Sequence, residues 1–137
     1  MIGKLSLGVA SIALALTPMA AFAASFSYNL RLTVAVHCTV QHQGTGYGAQ
    51  NGDALSLGTF REYCNAPQGY ELVVNYAPGS LRGARIYAGN DQIVLDGSGR
   101  AVLSRTSGPN IRERAISMAP GANGFDTNRL DLNIIPS

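Results

Sequence analysis

The chain has 137 residues, with ten Lys and Arg against eight Asp and Glu, and only 13% of its residues are charged. A formal net charge of +2 gives no electrostatic footprint for nucleic acid and no polybasic anchor for a membrane surface. Sixteen Gly, six Pro and many short apolar runs fit an all-β domain better than a helical one.

Lys4 is followed by LSLGVASIALAL and then TPMAAFA. One positive charge, a short apolar core, a helix-breaking Pro18 and a small-x-small ending describe a secretory signal peptide over residues 1–23. Cleavage falls after Ala23, because cutting after Ala24 would put Phe22 where a small side chain is wanted. The apolar run is shorter than the roughly 20 residues a transmembrane helix needs, and no later run is longer. The mature chain is therefore expected to be exported, to the periplasm and cell surface or beyond, without a membrane span. It keeps about 114 residues (24–137), enough for one domain with one core. Lys4, the only lysine, leaves with the signal.

The next stretch, SFSYNLRLTVAVHCTV, alternates without a break. Phe26, Tyr28, Leu30, Leu32, Val34, Val36, Cys38 and Val40 share one face. This predicts a long strand over 26–40, or two strands fused end to end. QHQGTGYGAQNGDA (41–54) reads as a polar, Gly-rich loop, LSLGTF (55–60) as a short strand, and REYCNAPQG as a turn region. YELVVNYA (70–77) alternates again. GARIYAG (83–89) and DQIVLD (91–96) are short strands, and GSG before RAVLS (100–104) reads as a hairpin. IRERAISMA (111–119) and NRLDLNII (128–135) complete the set, the latter with Leu130, Leu132 and Ile134 inward. Seven or eight such strands predict an immunoglobulin-like β-sandwich.

Two cysteines remain, Cys38 and Cys64. In an exported chain an even, small count points to a disulfide. Closing a loop of about 26 residues stabilises by roughly 3–4 kcal/mol in the chain-entropy model. No C-x-x-C spacing suggests a reactive thiol.

No constellation for catalysis stands out, so neither an enzyme, a metal site nor a cofactor is expected. His37 and His42 flank Cys38, but strand alternation puts His37 on the face opposite both, and both histidines read as solvent-facing. GTGYG (44–48) lacks the strand before it and the helix after it that a phosphate loop requires. DGSG (96–99) lacks the further acidic ligands of a calcium loop. No Gly-x-Ser-x-Gly elbow is present. Arg105, Arg112 and Arg114 read as a solvated basic face.

Eight inward residues exceed what one strand of a sandwich buries. A long apolar stripe is tolerated when it is meant for a partner, as in β-strand addition. The alternative is one bent strand passing between the two sheets of a complete sandwich.

LRLTVAVHCTVQ followed by LSLGTF, then Cys64, then GFDTNRLDLNI resembles the spore coat protein U family, which includes the subunits of archaic chaperone–usher pili. The matching residues are Cys38-Thr39-Val40, Leu57-Gly58-Thr59, Cys64 and Gly124-Phe125-Asp126 before Leu130, Leu132 and Ile134. The resemblance implies a sandwich lacking its last strand, filled first by a periplasmic chaperone and then, at an outer-membrane usher, by the neighbouring subunit. Phe26, Tyr28, Leu30 and Leu32 would be the donor side chains, and Val34, Val36 and Val40 part of the domain's own first strand. The implied role is a structural or adhesive surface subunit. A monomeric secreted module that binds a glycan or protein through its loops is the other reading of the same residues.

Overall fold

The computed structural model describes residues 27–137. The expected signal peptide and Phe26 lie outside the described residues. Residues Thr33–Ser137 form one compact unit. It is built from β1 (Cys38–Gln43), β2 (Gln50–Asn51), β3 (Ala54–Cys64), β4 (Tyr70–Tyr76), β5 (Arg85–Ala88), β6 (Asp91–Val94), β7 (Arg100–Thr106), β8 (Asn110–Ala119) and β9 (Leu130–Pro136).

The strands make two antiparallel sheets packed as a sandwich. The first has the order β1-β3-β8-β5-β6, with β2 added on β3, and the second has the order β7-β4-β9. β4 is central in the second sheet, and its alternation of Leu72, Val74 and Tyr76 faces the first sheet. There these residues meet Ile86 and Ala88 of β5, Ile116 and Met118 of β8, and Leu57 of β3. Burying each large side chain contributes about 1.5–3 kcal/mol. A smaller cluster of Cys64, Ala66 and Tyr70 sits at one end, where Cys38 and Ile134 pack against it. Cys38 and Cys64 are direct partners in the β1–β3 register and are joined by a disulfide. The Gly-Phe-Asp step before β9 is tied to the body, because Leu81 N–H donates to the Asp126 carboxylate at 2.7 Å.

Three expectations are corrected. The strand expected over 26–40 begins only at Cys38, and Val34 and Val36 lie outside β1 rather than within it. The GSG turn does not close a hairpin: β6 and β7 belong to different sheets. Leu95 is buried, accepting a backbone hydrogen bond from Gly83 N–H and donating one to Ala84 O. Gly97 and Gly99 then offer their carbonyls to Gly79 and Tyr76, which carries the chain across. Third, the loop expected over 41–54 contains β2 and begins with the last residues of β1.

Candidate functional site

One part of the otherwise apolar sandwich interior is charged. Glu62 of β3 is fully buried. Arg112 Nε donates to its Oε2 at 2.9 Å, and Arg114 Nε to its Oε1 at 2.8 Å. The Tyr70 hydroxyl donates to Oε2 at 2.9 Å. The guanidinium groups reach onward to Ser104, Thr106 and Asp91. Arg112 and Arg114 therefore do not form the solvated face expected of them. They share the parity of Ile116 and Met118, which points inward. Arg105 alone behaves as expected, pairing with Glu71 at the surface. Among the described residues every buried side-chain nitrogen and oxygen has a partner. The cluster joins the two sheets, with Glu62 and both arginines on the first and Tyr70, Ser104 and Thr106 on the second.

Burial pushes the Tyr70 phenol above its ordinary value of 10.0; the Thr106 side chain opposes this, and Glu62 reinforces it. A raised folded-state pKa gives stability that is complete below pH 10 and is lost as pH rises through the folded value. The melting temperature is therefore expected to fall above about pH 10. Tyr70→Phe is expected to lessen that fall, which melts from about pH 8 to about pH 11 would measure.

The two long edges of the sandwich differ. On the β6–β7 side Leu95 and Leu103 are buried, with Ile93 and Ala101 partly so. On the β1–β9 side Val40, Phe60, Leu130, Leu132 and Ile134 are only partly buried. Each of these two strands ends its sheet. They come together at the disulfide end, on the Cys64–Tyr70 cluster. Farther along, a cleft of about 460 Å³ is floored by Val40, Leu57, Phe60, Leu130 and Leu132. His42, Tyr47, Asn128 and Asp131 rim it.

His42 faces this cleft rather than solvent alone. Its ring stacks on Phe60 with centroids 4.7 Å apart, and Nε2 lies 2.8 Å from the Leu57 carbonyl oxygen. That carbonyl is turned out of the ladder by a bulge between Ser56 and Thr59. The bulge needs glycine: Gly58 has φ of +90°, and a Cβ there would stand 2.8 Å from both Gln43 O and His42 Nε2. Tyr47, from the GTGYG loop, meets the edge of His42.

Residues 27–37 make no strand pairing. Their apolar stripe is exposed: Tyr28 88%, Leu30 92%, Leu32 79%, Val34 68% and Val36 51%. The chain is caught at its junction with β1 by Asn65. The Asn65 side-chain oxygen accepts from His37 N–H, its amide donates to Ala35 O at 2.9 Å, and its backbone N–H donates to His37 O at 3.2 Å. One side-chain amide thus stands in for a further ladder residue beyond the Cys38–Cys64 pair.

Of the sequence-predicted residues, Cys38 and Cys64 are joined, and Tyr28, Leu30 and Leu32 are exposed on a segment without ladder partners. His42, Tyr47 and Asn65 were not singled out as cleft or junction residues, since only the strand arrangement brings them there. Among the described residues no group of three or more His, Cys, Asp or Glu could hold a metal, and no helix is long and apolar enough to cross a membrane. No family model, curated protein or solved structure matches the chain.

Proposed function

We propose that this chain is an exported structural or adhesive surface subunit, of pilus-like kind, assembled by β-strand complementation. One observation carries the reading. The sandwich has an apolar cleft along its β1–β9 edge, in a chain that also bears an exposed apolar stripe of strand period. A strand entering the cleft would satisfy the outer edges of β1 or β9 with its main chain and fill the floor with alternate side chains. The stripe from Tyr28 to Val36 has the matching period and polarity. The resemblance to spore coat protein U-like subunits supports the same reading and adds its partners: a periplasmic chaperone, an outer-membrane usher and neighbouring subunits.

The test is assembly of the mature chain exported to a periplasm, run unheated and heated on a denaturing gel beside a version lacking residues 24–33. The proposal expects a ladder that collapses on heating and is absent from the shortened chain. It also expects the shortened chain to fold, because among the described residues every strand and both apolar clusters lie within Thr33–Ser137. A lone monomer band, with the shortened chain unfolded, would instead mark a self-contained secreted sandwich whose loops do the binding.

A further inference from the structure

The outer face of the first sheet carries an apolar area beside the point where the N-terminal segment leaves the body. Tyr63 of β3 and Ile111 of β8 are direct cross-strand partners on it, 37% and 58% exposed. The His37 ring lies 5.9 Å from the Tyr63 ring. A shallow depression of about 500 Å³ runs between Tyr63, Asn65, Pro109 and Ile111. The next facing pair, Arg61 and Glu113, brings opposite charges together and leaves the area without a net field.

We infer that this face, centred on His37, Tyr63 and Ile111, is a second contact surface for a neighbouring copy of this chain. The inference rests on the strand-complementation reading and extends it from the segment to the body of the subunit. Its ground is the lack of slack at the exit. Cys38 is fixed by the disulfide, and Asn65 holds both His37 and Ala35. When Tyr28, Leu30 and Leu32 occupy a neighbour's cleft, only Thr33 and Val34 remain to bridge the two bodies. From Leu32 to Ala35 the chain takes three steps, which reach about 10–11 Å when extended. The neighbour must then sit against the exit, and the surface around the exit is the exposed apolar one. Contact there would cover Tyr63 and Ile111, which the isolated subunit leaves in water.

A benzophenone side chain placed at position 111 of the full mature chain tests this, with position 94 as the control. Val94 is equally exposed but lies on β6, at the other edge of the same sheet. Illumination of the assembled ladder is expected to give a heat-resistant cross-link between copies from position 111 and none from position 94. Asn65→Ala is expected to keep the ladder and lose the cross-link, because the exit is then slack. A ladder without a cross-link from position 111, or with equal cross-linking from both positions, overturns the second surface and leaves strand complementation standing. Absence of any ladder overturns both.

Discussion

Glu62→Ala is expected to destabilise the domain by about 3–5 kcal/mol, the cost of removing one partner from a buried charge cluster. Glu62 is fully buried, and Arg114 is nearly so. Without the carboxylate, Arg114 retains Asp91 and Ser104, whereas Arg112 retains the Ser104 and Thr106 hydroxyls and the face of the Tyr70 ring, none of them charged. Two guanidinium charges would then face each other across a space that water reaches poorly. Domains of this size have total stabilities of about 5–15 kcal/mol, so the loss approaches the whole of a marginal fold. Arg105→Ala removes an ion pair of similar length at the surface and is expected to cost no more than about 1 kcal/mol. Urea midpoints of the two variants measure the contrast. Equal midpoints would mean that the buried cluster contributes nothing beyond an exposed pair.

The second large effect separates folding from assembly. Leu30→Asp with Leu32→Asp is expected to leave monomer stability within about 0.5 kcal/mol, as for other exposed substitutions. Both side chains lie in solvent, so the folded unit loses nothing it had buried. The same pair of changes is expected to abolish the heat-sensitive ladder. Inserting a carboxylate between Leu57, Phe60 and Leu132 would bury a charge without a partner. Thermal melts and unheated gels of one preparation read both halves. Loss of the ladder together with a large fall in melting temperature would show that the stripe belongs to its own domain.

Much of the sandwich is legible in the sequence because its strands alternate and its turns carry Gly and Pro. The alternation of β4 and β9 is plain, and both lie where expected. β1 departs from its expected bounds for a physical reason. Its parity runs unbroken from Phe26 to Val40, and parity states which face is apolar without stating which residues have a ladder partner. The ladder starts where the disulfide and Asn65 pin the chain. GSG failed as a hairpin signal because the same glycines also suit a chain crossing between sheets. The buried position of Leu95 decides between the two. The inward direction of Arg112 and Arg114 was readable in principle, since they continue the parity of Ile116 and Met118. Arginine is so seldom buried that its usual exposure outweighed the pattern, and Glu62 is the partner that overturns the habit. The cleft was not legible at all. Val40, Leu130 and Leu132 each read as inward, but whether β1 and β9 close over them depends on how the two sheets meet.

The most direct measurement is the binding of a peptide with the sequence of residues 24–36 to the folded chain lacking residues 24–33. Ligand that binds only the folded state stabilises it by mass action, about 2.7 kcal/mol at a hundredfold excess over the dissociation constant. The account predicts a melting temperature that climbs with peptide concentration, with amide shifts in β1 and β9 and none in β6. A peptide that leaves the melting temperature and the β1 and β9 amides unchanged at every concentration would contradict it.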